Sequence, residues 1–189
     1  IGTGINTHPE YKHRVREALA DLTGIRFVTA PDLVEATQDT GVFVLLSGVL
    51  KRLAVKLSKI ADDLRLLSSG PVAGFGEINL PAMQPGSSIM PGKVNPVIPE
   101  VINQIAFEVI GNDLTVTLAA ASGQLQLNAF EPIIGYNLFD SIEMLKDGCR
   151  ILSDQCVAGI TANAQRCKAN VMRSPGLATV LNPVIGYER

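Results

Sequence analysis

The chain has 189 residues, 16 Lys+Arg against 18 Asp+Glu, a formal net charge of −2 and no tryptophan. Hydrophobic residues make up 47% and charged ones 18%, where roughly 25% charged is usual in a soluble domain. That composition excludes intrinsic disorder, and the near-neutral balance argues against a nucleic-acid partner, which calls for a basic excess.

No stretch offers the ~20 mostly apolar residues of a membrane span. Residues 42–50 are too short, and Gln124, Gln126 and Asn128 interrupt residues 114–130. Residues 1–16 lack the apolar core of a signal peptide. The chain does not begin with Met, and the expectation is a start inside a longer protein. Three cysteines (Cys149, Cys156 and Cys167) do not form a disulfide framework, and with no CxxC and two histidines a structural metal is not expected. They read as reduced thiols in a cytoplasmic protein.

In chain order, a first helix is predicted over 9–22. Pro9 suits the first helical position, Thr7 or His8 caps it, and Gly24 stops it. Val15, Ala18, Leu19 and Leu22 form an apolar stripe at helical spacing. A second helix is predicted from 31–32 to 69, with no proline to interrupt it. Its basic cluster Lys51, Arg52, Lys56 and Lys59, offset by Asp62 and Asp63, reads as a solvated face. Residues 70–99 then carry six prolines and five glycines, so regular structure stops there. A loop this long inside a compact domain is often functional. Two more helices are predicted over 96–121 and 128–160. Residues 94–145 contain no Lys, Arg or His and only six carboxylates. Helices apolar nearly all round are buried ones, and burying every face of these calls for neighbours beyond one chain. A short helix over 164–173 is followed by Ser174-Pro175-Gly176, read as a boundary. The expected domains are 1–173, part of a central helical domain with a loop at 86–96, and 174–189, the start of a C-terminal domain.

The chemistry concentrates in Gly86-Ser87-Ser88-Ile89-Met90-Pro91-Gly92-Lys93-Val94-Asn95-Pro96. This glycine- and proline-framed loop enters a helix and carries two hydroxyls, one ammonium and one carboxamide. Free N–H groups at the helix start add a partial positive field. All of these suit a small carboxylate, although residue types alone leave open a plain helix-capping loop with an exposed lysine.

The whole string resembles the signature loop of the fumarase/aspartase superfamily, and the resemblance runs along the chain. Gly2-Thr3-Gly4-Ile5-Asn6-Thr7, Leu64-Arg65-Leu66-Leu67-Ser68-Ser69-Gly70-Pro71, Gly123-Gln124-Leu125-Gln126-Leu127-Asn128 and Leu181-Asn182-Pro183-Val184-Ile185-Gly186-Tyr187 are similar to further family blocks. Pro99-Glu100-Val101-Ile102-Asn103-Gln104 and the pair Glu131-Pro132 resemble the aspartate ammonia-lyase branch more than the fumarase branch.

The resemblance implies an all-α long-helix bundle of the fumarase/aspartase type, here truncated at both ends. It implies reversible elimination of ammonia from L-aspartate to give fumarate through an aci-carboxylate intermediate. Ser87 would be the general base, Ser88, Lys93 and Asn95 would hold the substrate carboxylates, and Glu100 would orient a histidine from an earlier segment. His8 and His13 do not match that histidine and read as surface or cap residues. A small dicarboxylate substrate is expected, with no nucleic acid or membrane partner and a homotetramer sharing its active sites between subunits. No cofactor is required, with Mg²⁺ a candidate activator that no ligand cluster supports. The alternatives are a fumarate hydratase acting on L-malate and a catalytically inactive helical assembly fragment of the same family.

Overall fold

The computed structural model describes residues 2–86, 89–90 and 92–186. The elements run α1 Tyr11–Thr23, α2 Glu35–Gln38, α3 Gly41–Leu67, β1 Ile78–Asn79, α4 Val97–Ala121, α5 Glu131–Ile151, β2 Thr161–Ala162, α6 Ala164–Met172 and α7 Asn182–Ile185. A π-helical turn at Leu152–Cys156 and 3-10 turns at Val157–Gly159 and Pro175–Leu181 link the later ones.

The first helix starts two residues later than its sequence signals suggest. Glu10 is its N-cap and makes no side-chain cap bond of its own; His8 Nδ1 accepts the Glu10 N–H at 3.3 Å, while the Thr7 hydroxyl turns back to donate to the Gly4 carbonyl at 2.8 Å. Gly24 closes the helix at φ 70°, its N–H donating to Ala20 O at 2.8 Å. The apolar stripe is not buried: Leu19 and Leu22 are exposed, and α1 buries no residue. Helical spacing makes an amphipathic face, but burial needs a partner, and the described residues cover it only in part, leaving Val15 half-buried.

The single helix expected from 31–32 to 69 is broken. Asp39 is extended at ψ 120°, and its carboxylate accepts the Gly41 N–H at 3.1 Å. A short acidic side chain competes with the helix ladder for backbone donors, and here it wins. From Gly41 the helix then runs unbroken for 27 residues. It buries Ser47, Ala54 and Ala61, one every seven residues, which is the spacing of a helix laid along other long helices.

The chain forms two compact units, residues 1–52 with 109–142 and residues 53–108 with 143–189. In the first, Val116, Ala119, Ile134 and Leu138 make the core, with Val44, Leu50 and Ala120 packed on it. Among the described residues no buried side-chain nitrogen or oxygen lacks a hydrogen-bond partner. Asp113 accepts from the Ser47 hydroxyl at 2.8 Å and from Lys51 Nζ at 2.5 Å, so Lys51, whose side chain stays partly exposed on the predicted basic face, is paired there with a buried carboxylate. Asn128 donates to the carbonyls of Ala119 and Ala120 at 3.1 and 3.3 Å, and its own Oδ1 accepts the Phe130 N–H at 2.8 Å.

In the second unit the core is Ala61, Ile102, Leu152 and Cys156, packed by Leu57, Leu64, Leu80, Ile98 and Ile105. Fully burying a side chain such as Ile102 contributes roughly 1.5–3 kcal/mol. Gly148 of α5 sits where a Cβ would come within 2.9 Å of Ile105 Cδ1. Burial pushes the Cys156 thiol above its ordinary pKa, and all three cysteines are free. The two short strands were not foreseen. They pair antiparallel, Ile78 with Ala162 and Asn79 with Thr161. No helix is long and apolar enough to cross a membrane among the described residues.

Candidate active site

The second unit contains a cleft of about 1240 Å³. Its walls come from the last turn of α3, the chain after it, β1, the end of the signature loop, and β2 with the start of α6. Arg65, Lys93 and Arg166 line it beside Asn79, Asn95 and Asn163, with Ser68 and Ser69, and no Asp or Glu among the lining residues. Cations and carboxamides without a competing carboxylate make a site for an anion.

Lys93 and Asn95, two of the predicted substrate-binding residues, are therefore brought to one cleft. Glu100 is not. It lies in the first turn of α4, half-buried. Its N–H donates to Pro96 O at 3.1 Å, and its carbonyl accepts from Gln104 Nε2 at 3.3 Å. The predicted roles of Ser87 and Ser88 fall outside the described residues.

The loop's shape follows from its glycines. A Cβ on Gly86 would stand 1.9 Å from the Lys93 carbonyl oxygen, so the two arms of the loop pass each other in backbone contact. Gly92 has φ 77°, a conformation that costs a glycine nothing. Lys93 N–H donates to Met90 O at 3.3 Å. Val97 N–H donates to the Asn95 carbonyl at 2.9 Å, where α4 begins. Lys93 is exposed and Asn95 half-buried at the mouth of the helix.

Arg65 is held from α4. Asn103, buried, accepts from Arg65 Nη1 at 3.1 Å and donates to Ser58 Oγ at 2.8 Å and Asp62 Oδ1 at 3.1 Å. Asp62 also lies 3.5 Å from Arg65, so part of that cation's charge is already answered. The Pro99–Gln104 block thus has a structural use here: Pro99 and Ile102 are buried in the core and Asn103 ties α4 to α3. Arg65 stood within a recognised block but carried no predicted role, while Asn79, Asn163 and Arg166 went unnoticed altogether. The pair Asn79 and Asn163 is 84 positions apart, and no local pattern joins them. Among the described residues no group of His, Cys, Asp and Glu is placed to hold a metal.

Long helices and an electropositive cleft lined in part by the end of a glycine-framed loop fit one class of enzyme. The family described as Lyase matches residues 1–111, and this chain belongs to that family, within the fumarase/aspartase superfamily. It is 62% identical over 189 residues to the aspartate ammonia-lyase of Helicobacter pylori, covering 100% of this chain and 40% of the relative. With the aspartate ammonia-lyase of Pseudomonas aeruginosa it shares 63% identity over 188 residues, again 100% of this chain and 40% of the relative. A fumarate lyase:delta crystallin from Brucella melitensis bound to cobalt superimposes with a TM-score of 0.90 at 59% identity, over 97% of this chain and 40% of that one. A class II fumarase from Schistosoma mansoni gives a TM-score of 0.90 at 35% identity, over 98% and 42%. The chain spans about two-fifths of the length of the curated relatives it matches.

Proposed function

We propose that this chain is the catalytic-loop segment of an aspartate ammonia-lyase, which converts L-aspartate to fumarate and ammonia. The observation that carries the reading is the cleft lined by Arg65, Lys93 and Arg166 with no carboxylate among its lining residues, in a chain about 60% identical to aspartate ammonia-lyases along its whole length.

The chemistry sets the demand. A proton on carbon beside a carboxylate is very weakly acidic. Removing it builds a dianionic aci-carboxylate, and ammonia then leaves from the neighbouring carbon as the double bond forms. Fixed donors aimed at that developing charge supply the stabilisation. In this reading Lys93 and Asn95 hold substrate carboxylates, Ser88 adds a hydroxyl donor, and Ser87 takes the proton. A serine acts as a base only as alkoxide, favoured by cations, N–H groups and exclusion of water. Glu100, away from the cleft, acts by orienting a histidine supplied elsewhere. The reaction needs no cofactor, and Mg²⁺ enters only as a candidate activator. The active form is a cytoplasmic homotetramer whose subunits complete one another's sites.

The test is turnover by the intact protein, L-aspartate against L-malate, followed by fumarate absorbance in the ultraviolet. Fumarate from L-aspartate alone is expected, and fumarate from L-malate alone would make the protein a fumarase instead. Lys93→Ala is expected to lower the rate about 10²–10³-fold, the usual loss for one oxyanion donor. A Lys93→Ala enzyme with unaltered turnover would remove the loop from the reaction.

A further inference from the structure

Residues 74–79 follow α3 and lead, seven residues later, into Gly86. The backbone of this stretch is gripped from one side by residues 161–170. Arg166 donates through Nε to the Phe75 carbonyl at 3.1 Å and through Nη2 to the Gly74 carbonyl at 2.9 Å. The rigid fork of a guanidinium fits two successive carbonyls in a way a lysine cannot. Asn163 donates its side chain to Gly76 O at 2.9 Å and its N–H to Glu77 O at 2.8 Å. The carboxamides of Asn79 and Asn163 exchange hydrogen bonds at 2.8 and 3.0 Å. Further along α6, Asn170 donates to Glu77 Oε1 at 3.0 Å. The same stretch also meets the chain just beyond α3: a Cβ on Gly74 would stand 2.5 Å from the Ser69 carbonyl. The strand pair Ile78–Asn79 with Thr161–Ala162 completes the grip.

Two facts separate this arrangement from ordinary packing. Arg166, Asn163 and Asn79 line the same cleft as Lys93 and Asn95. Yet Arg166 spends donors on main-chain carbonyls, so it shapes the wall it stands in. We infer that residues 161–170 are a clasp that fixes residues 74–79 and, through that cleft wall, the placement of Lys93 and Asn95, with Arg166 and Asn163 as positioning residues for the lyase reaction. The catalytic part of this inference rests on the proposed function; the clasp itself does not.

The experiment uses the intact enzyme with Arg166→Met, which removes both donors, Arg166→Lys, which keeps one, and Asn163→Asp, which loses the side-chain donors. Hydrogen exchange is followed peptide by peptide beside steady-state kinetics. Arg166→Met is expected to speed exchange at 74–79 and 92–95 while α3, α4 and α5 keep their protection. It should lower kcat/KM by about 10–10²-fold, the cost of a misplaced catalytic group, with KM for L-aspartate rising. Arg166→Lys should restore part of both. Asn163→Asp should repeat the exchange pattern where Arg166→Met yields no folded protein. Unchanged exchange at 92–95 with unchanged KM would overturn the clasp, as would protection lost evenly across all helices. A wild-type protein that does not act on L-aspartate would sink the proposed function, while the exchange pattern would still decide the clasp.

Discussion

Leu125 is the one non-glycine residue with positive φ among the described residues, at 51°. It sits in the tight turn where Gln124 and Leu127 exchange backbone hydrogen bonds at 3.0 and 3.2 Å. It is 91% exposed, so no buried contact offsets the conformation. A left-handed backbone costs an L-residue roughly 1–2 kcal/mol, and a turn with positive φ at its first central position is the one glycine favours. Leu125→Gly is therefore expected to raise stability by up to about 1 kcal/mol, read as a higher midpoint in urea at unchanged slope. A lower midpoint would show that the leucine makes a contact worth more than the strain. Gly86 presents the opposite case, since there a side chain would collide with the Lys93 carbonyl. Both residues lie in blocks recognisable from the string of letters, but only coordinates separate the glycine that is required from the leucine that is strained. Lys93 and Asn95 were picked out by the resemblance, since an ammonium and a carboxamide beside a helix start suit an anion but residue types alone left a plain capping loop open. Arg166 was not, because its partners are main-chain carbonyls 91 and 92 positions away, which have no letter of their own.

Among the elements, α3, α4 and α5 were legible, α4 within one residue at both ends, but the start of α3 and the end of α5 were not. Long runs free of proline with apolar residues at helical spacing predict helices, and three long helices are present. The break before α3 depended on one side chain, the Asp39 carboxylate, outcompeting the ladder. The helix expected to reach residue 160 instead gives way at Leu152 to a π-helical turn. Strands of two residues carry too little pattern to read at all. The tie between α3 and α4 through Asn103 has a measurable value. Asn103→Ala would leave Ser58, Asp62 and Arg65 without that shared partner, and losing such a buried carboxamide costs about 1–3 kcal/mol. Thermal or urea unfolding of the intact protein checks this. Asn103→Ala should also weaken turnover, because Arg65 at the cleft wall loses the oxygen that holds it. A variant as stable as the parent would mean that the ion pair with Asp62 suffices.

For the whole molecule, the question raised by the composition concerns apolar surface. Leu45 and Val49 on α3, Phe107, Leu114 and Leu118 on α4, and Tyr136 and Phe139 on α5 are each more than half exposed. Isolated exposed leucines are ordinary, but apolar rows at helical spacing on three long helices mark surface that association would cover. The residues between Lys93 and Lys146, where no cation occurs, supply much of it. The isolated 189-residue chain is accordingly expected to self-associate in light scattering behind size exclusion. Phe139→Glu with Leu114→Glu should shift it toward monomer. A chain that runs as a stable monomer without substitution would refute this account and leave the family membership standing. Charge and hydropathy placed this surface on the helices that follow the loop; that α3 shares it, and that α1 adds its own uncovered leucines, only the fold shows.

The pairing of residues 78–79 with 161–162 has a further consequence, one of order in time. Contacts between distant parts of a chain form late, because the loop they close must first be gathered. Here α4 and α5 both lie inside that loop. A ribosome that has just released Lys93 and Asn95 has made the loop's chemical groups but not the means of holding them, which arrives more than sixty residues later with Asn163 and Arg166. Residues 74–79, which share a cleft with Lys93 and Asn95, therefore stay unset in a nascent chain until the helices that follow have been synthesised and have folded back.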